Sequence, residues 1–247
     1  MVQAPLRTTV RGPTFIRLLA RLTDVDVSPS RQALSDRLSQ WLEWTHAIAL
    51  STALDGRPAA ATPGVQTFGR AEEDECARVR SLLAAAIADD RDRSTSRQRG
   101  AEPVPAEEGN AEAVVDYEAF RKHYLAVQRR MQTATGHLRG RLRDILAQQS
   151  ADMARLAEVD AALELALSPR EHTLLGTVPA LLGKHFERLR QTEEKTLADA
   201  QVAEDTPTAT PGAWLDVFRK DMQSVLLAEL DVRFQPVEGL LAALRTC

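Results

Sequence analysis

Glu43-Trp44-Thr45-His46 has the Glu-x-x-His spacing that places two metal ligands on one helical face. Di-iron helical bundles use that motif twice, with two more glutamates from other helices. Here it occurs once, so it is read as a chance spacing on a helix surface, and no metal or other cofactor is expected. His123, His137, His172 and His185 share no ligand spacing, and there is no His-Glu-x-x-His. Gly183-Lys184-His185 lacks both the properly spaced upstream glycine and the following Ser or Thr of a phosphate loop. Cys76 follows Glu72, Glu73, Asp74 and Glu75, whose charge raises a thiol pKa and makes a poor nucleophile. With no catalytic constellation in view, the chain is expected not to be an enzyme.

One stretch is electrostatically unusual. Residues 119–143 contain Arg121, Lys122, Arg129, Arg130, Arg139, Arg141 and Arg143 and no acid. From residue 144 onward acids outnumber bases. Two readings follow. The cations form a face for an acidic protein, nucleic acid or anionic lipid, or they complement the acidic helices that follow within the same molecule. The nearby Tyr117, Phe120 and Tyr124 give weak support to nucleic acid, because their spacing assigns them to the core. Gly136-His137-Leu138-Arg139-Gly140 fits GxxxG, but this helix is too charged for a membrane dimer motif. A hinge or a close helix crossing is the better reading.

The elements that carry these residues are helices. The chain has 247 residues, 44% of them hydrophobic and only 4% aromatic. The core must therefore be mainly Leu, Ala, Val and Ile, a mix that favours helix, and no alternating strand pattern stands out. A net charge of −4 argues against a globally basic nucleic-acid binder. The 31 basic residues include only four lysines, a bias that a GC-rich genome explains without phosphate binding. The two cysteines, Cys76 and Cys247, make no CxxC and no disulfide framework, which fits a reducing compartment. No apolar run approaches the length of a membrane span, and the Arg-interrupted N-terminal stretch is not a secretory signal.

Turn and breaker residues divide the chain. Residues 1–12 read as a disordered lead, and 13–88 as an N-terminal helical unit with helices over 14–22, 30–54 and 71–88. A turn at 24–29 and a loose, Pro- and Gly-rich connection at 56–69 separate them. Residues 89–112 have almost no large apolar side chain and read as a disordered linker. Residues 113–247 read as a C-terminal bundle. Tyr117, Phe120, Tyr124, Val127, Met131, Ala134 and Leu138 alternate steps of three and four, a coiled-coil-like seam. Continued to 167, that helix would reach about 78 Å, so it must project, pair or break, with Gly136, Gly140 and Ser150 as candidate joints. Ser168-Pro169-Arg170-Glu171 has the form of a capping box opening the next helix, which runs to about 203. Pro179 should kink or split it. A polar connection at 204–211 leads to a last helix that Pro236 should bend or break. The expected architecture is all-α, an elongated bundle of long coiled-coil-like antiparallel helices with a disordered central linker.

Four runs carry a family likeness: LSQWLEWTHAIALSTAL (38–54), YLAVQRRM (124–131), MARLAEVDAALELALSPREHTLLGTVPALLGKHFERLR (153–190) and LLAELDVRFQPVEGLLAALR (226–245). The sequence resembles an uncharacterised proteobacterial family, the domain of unknown function numbered three-three-four-eight. The resemblance covers most of the chain outside 56–112, and VPALL…HFERLR and AELDVRFQPVEGLL are its most specific parts. It brings no established activity and no catalytic residue. Genes of the family lie beside those for MotA-like and OmpA-like envelope proteins. That setting implies a cytoplasmic accessory peripheral to an inner-membrane complex.

The expected function is therefore protein–protein interaction as a non-enzymatic adaptor or assembly factor. Its partner is a protein or a second copy joined through 117–167. Nucleic-acid binding through 119–143 is the alternative.

Overall fold

The computed structural model describes residues 14–23, 32–55, 69–99, 116–202 and 212–246. It is an elongated all-α bundle. The helices are α1 (Thr14–Thr23), α2 (Leu34–Trp41), α3 (Trp44–Asp55), α4 (Arg70–Arg99), α5 (Tyr117–Ala147), α6 (Ala151–Leu175), α7 (Val178–Val202) and α8 (Ala213–Leu244). The segments expected at 1–12, 24–29, 56–68, 100–112 and 204–211 lie outside the described residues.

Helix α8 is the axis of the packing. It touches α1, α4, α5 and α7, while α6 lies on α5 and carries α2 and α3 on another side. The reason is in its sequence. Leu215, Phe218, Met222, Val225, Leu226, Leu230, Phe234, Val237, Leu240, Leu241 and Leu244 are all buried, more than one helical stripe can hold. A helix apolar over so much of its circumference is stable only when surrounded.

The expected seam on α5 is buried, but it does not pair as a coiled coil. Tyr124, Val127, Met131 and Leu138 are buried, and Tyr117, Phe120 and Ala134 pack against the same core. They face several helices at once rather than one partner. At one end, the rings of Tyr117 and Phe120 (α5), Phe186 (α7), Trp214 and Phe218 (α8) form a cluster. Phe186 and Phe218 meet edge to face, with centroids 5.0 Å apart. Knobs-into-holes pairing needs two facing stripes, and a multi-helix core dilutes that pattern.

Gly183 makes this end possible. A Cβ there would lie 2.9 Å from Tyr117 Cε1. The tyrosine ring packs against the bare backbone of α7, and its hydroxyl donates to the Pro179 carbonyl.

Several helix boundaries differ from the sequence reading, each for a physical reason. The helix expected over 30–54 is two, broken at 42–43, with the Glu43 N–H donating to His46 Nδ1 at 3.3 Å. Helix α4 extends to Arg99, through the first half of the expected linker, because adding a residue to an existing helix is far cheaper than nucleating one. The long 116–167 pattern does break, and at Ser150, whose hydroxyl caps α6 by accepting from the Met153 N–H.

Ser168-Pro169 opens no helix, and α6 runs through it to Leu175. The Glu171 carboxylate, which the capping box would turn back toward Ser168, instead accepts from Arg233 Nη1 of α8 at 3.1 Å. The chain reverses at Gly176 and Thr177, which leaves Pro179 in the first turn of α7, where its missing N–H costs nothing. Pro236 does not break α8. An interior proline costs about 3 kcal/mol, and burial of Phe234, Val237 and Leu240 around it offsets that.

Candidate interaction surface on helix α5

Helix α5 has two faces of opposite character. The inward face is closed by a polar network around Glu229, which is fully buried. One Glu229 oxygen accepts from the Tyr124 hydroxyl at 2.7 Å and from Gln128 Nε2 at 3.1 Å. The other accepts from Arg233 Nε at 2.9 Å, with Arg233 Nη2 also at 2.9 Å. Gln128 donates to the Leu175 carbonyl, where α6 ends. Arg233 reaches on to Glu171. Every charge in the network is matched, as a buried charge requires.

Burial, and then the Glu229 carboxylate, push the Tyr124 hydroxyl well above its ordinary pKa, with Arg233 opposing. At neutral pH this tyrosine stays protonated and serves as a donor to Glu229. The network spaces Tyr124 and Gln128 four apart on α5, and Glu229 and Arg233 four apart on α8. It holds the two helices and the end of α6 in register.

Beside it, α5, α6 and α8 enclose a cleft of about 360 Å³, bordered by Arg139, Glu164, Glu171, His172 and Arg233. Val232 and Pro236 also line it. Pro236 has no N–H, so the Val232 carbonyl lacks its usual helical donor.

The seven cations of 119–143 divide in two. Arg139 donates from Nε and Nη2 to the two carboxylate oxygens of Asp160 at 2.8 and 2.7 Å. Arg143 meets Asp160 at 3.3 Å and also pairs with Glu164. Both pairs are half-buried between α5 and α6. Arg121 pairs along its own helix with Glu118 at 3.2 Å. These three complement acids of the same chain.

Lys122, Arg129, Arg130 and Arg141 are exposed, and none has a carboxylate within ion-pair distance among the described residues. Among the described residues Arg129 donates to the Leu125 carbonyl of its own helix. The four lie along the outward face of α5. Tyr117, Phe120 and Tyr124, the aromatic residues near the stretch, are turned into the core.

The same outward face holds a shallow groove of about 560 Å³, lined by Gln132, Thr133, Gly136, His137, Gly140, Arg141 and Asp144. Gly136 lies on the ridge between this groove and the enclosed cleft.

A second exposed region is α3, which has no Asp, Glu, Lys or Arg from Trp44 to Leu54. Trp44 is 79% exposed, and Ile48 and Leu54 are exposed too. Glu43 and His46 are not two ligands on one helical face here. Glu43 precedes α3, and His46 Nδ1 is occupied by its backbone N–H. Among the described residues no three His, Cys, Asp or Glu come together as metal ligands. Cys76 is buried on α4, and burial first and Glu75 second push its thiol pKa up.

The Glu229 network escapes a motif search. Its trace in the sequence is a carboxylate standing among Leu226, Leu227 and Leu230, with an arginine one helical turn later. The partners on α5 have no such signature.

No curated protein and no solved structure matches the chain. The family model described as a protein of unknown function (DUF3348) matches residues 1–246. Segment 178–190 carries Val178, Leu182, Phe186 and His185, and segment 228–241 carries Glu229, Arg233 and Phe234. The two segments that carry the family likeness most specifically thus contribute to the aromatic cluster and the buried network. The chain belongs to the DUF3348 family.

Proposed function

We propose that the protein is a non-enzymatic adaptor or assembly factor that binds another protein through the outward face of α5. The observation that carries this reading is the split among the cations. Arg121, Arg139 and Arg143 are neutralised within the chain, whereas Lys122, Arg129, Arg130 and Arg141 remain exposed along one helix without a carboxylate partner among the described residues. Unpaired surface charge of one sign steers and selects an oppositely charged partner. A protein is favoured over nucleic acid because the neighbouring aromatic rings are in the core and offer no stacking platform. A place at the cytoplasmic side of an envelope assembly, as the family resemblance implies, belongs to this reading. No described helix is long and apolar enough to cross a membrane.

The test is affinity capture from native lysate at moderate salt, with the wild type beside a variant carrying Lys122, Arg129, Arg130 and Arg141 as Gln. A stoichiometric protein retained by the wild type and released by the variant is the expected result. Equal recovery by both, or retention of nuclease-sensitive material alone, would sink the assignment. Light scattering under reducing conditions shows whether a second copy is part of the assembly.

A further inference from the structure

We infer that the outward face of α5 is a docking groove for an acidic helix of a protein partner, which crosses α5 closely over Gly136 and Gly140. This deepens the adaptor reading and rests on it.

The first observation is charge. Lys122 and Arg129 lie on one line along the exposed part of the helix, in line with the glycines, Arg130 and Arg141 on a second line about 100° round it, and none has a carboxylate partner among the described residues. A helix laid along that side needs acids flanking its contact stripe.

The second observation is the glycines. Both sit in the interior of a 31-residue helix, where glycine is poorer than alanine. A Cβ at Gly136 would meet nothing within 4 Å, and one at Gly140 only Arg143 Nη2 at 3.9 Å. Gly183 is different, because the ring of Tyr117 occupies the place of its side chain. Nothing among the described residues asks for a bare backbone at 136 and 140. A helix crossing from outside does, because small residues let two helix axes approach.

The groove agrees with that occupant. Its lining of Gln132, Thr133, Gly136, His137, Gly140, Arg141 and Asp144 includes no large apolar side chain. An apolar peptide or an acyl chain would find nothing to bury against. A second copy is disfavoured, because an isologous crossing at the glycines sets this net-positive face against itself.

The experiment uses the full chain and a fluorescein-labelled helical peptide of about seven turns, with Ala along one face and Glu on both flanks. Anisotropy at low salt should show binding that weakens as salt rises. Gly136→Leu with Gly140→Leu should weaken it at least tenfold without lowering helix content or melting temperature. Gly136→Ala with Gly140→Ala should give a smaller loss, a graded effect that misfolding would not produce. Arg130→Gln with Arg141→Gln should weaken binding and flatten its salt dependence.

Loss in the Arg pair with none in the Leu pair would overturn the close crossing and leave the adaptor reading standing. Duplex DNA that binds more tightly than the peptide and displaces it would overturn both. A dimer that the Leu pair dissociates would make the occupant a second copy and overturn the proposal. So would peptide affinity that rises when Glu102, Glu107, Glu108 and Glu112 become Gln, since the occupant would then be this chain itself.

Discussion

The two faces of α5 spend their unusual residues differently. On the inward face every one has a matching group: Tyr124 and Gln128 hold Glu229, Arg139 holds Asp160, and the ring of Tyr117 fills the place Gly183 leaves open. On the outward face, among the described residues, Lys122, Arg130 and Arg141 have no carboxylate partner, and Gly136 and Gly140 have no neighbour that needs them. A residue that weakens a helix and is repaid inside the fold is explained by folding. One that is not repaid points outside the molecule.

The comparison breaks most readily at Glu229. Replacing it with Leu leaves the buried Arg233 with only the part-exposed Glu171 and takes the buried acceptor from Tyr124 and Gln128, and unfolding by urea should show a loss of about 3–5 kcal/mol. Pairing Glu229→Leu with Arg233→Met should recover much of that loss. If the single change costs less than about 1 kcal/mol, the inward network is not what holds α5 to α8.

Alkaline titration tests the same face. Burial pushes the Tyr117 pKa up to about 12 and raises Tyr124 in the same direction. In the unfolded chain both ionise near pH 10. The stability they contribute is complete below about pH 10 and is lost as pH rises, for Tyr117 through about 12. The chain has two tyrosines, so absorbance at 295 nm reports these two alone. Little tyrosinate should form in the native protein at pH 10, whereas half should form in guanidinium.

Gly183→Ala should cost about 1–3 kcal/mol by driving a methyl group into the Tyr117 ring. A drop in melting temperature, absent when Tyr117→Ala is already present, would sharpen that assignment. On the outward face the sign reverses. Gly136→Ala and Gly140→Ala should each stabilise the isolated chain by roughly 0.5–1 kcal/mol. A loss there would mean that something within the chain already lies against those glycines.

Much of this contrast was legible in the sequence, and some of it was not. The start and inward stripe of α5 follow from periodicity, because Tyr124, Val127, Met131 and Leu138 repeat as helical core residues do. Ser150 stands in the sequence as one of three candidate joints with Gly136 and Gly140, and only the structure shows that its hydroxyl caps α6. Ser168-Pro169 was misread because a capping box is a local argument, and Arg233 outcompeted it from 62 residues away. The seven cations looked alike in sequence. Only the placement of α6 shows that Asp160 and Glu164 claim Arg139 and Arg143 and leave Arg130 and Arg141 exposed. The coiled-coil expectation failed for the same reason. A stripe of period three and four records that a face is buried, not how many helices bury it.

The central position of α8 bears on how the protein is made. The helix that α1, α4, α5 and α7 all pack against is the one translated after them. Until it emerges from the ribosome, Tyr124, Phe186 and the inward stripe of α5 have no completed core to enter. Contacts such as Arg80 with Asp231 and Arg245 with Glu73 span more than 150 residues of chain. Long-range closure of this kind is slow and leaves apolar helices exposed while they wait. The nascent chain should therefore engage holding chaperones for most of its synthesis, and ribosome-bound fragments that stop before α8 should be cut by protease where the finished protein resists.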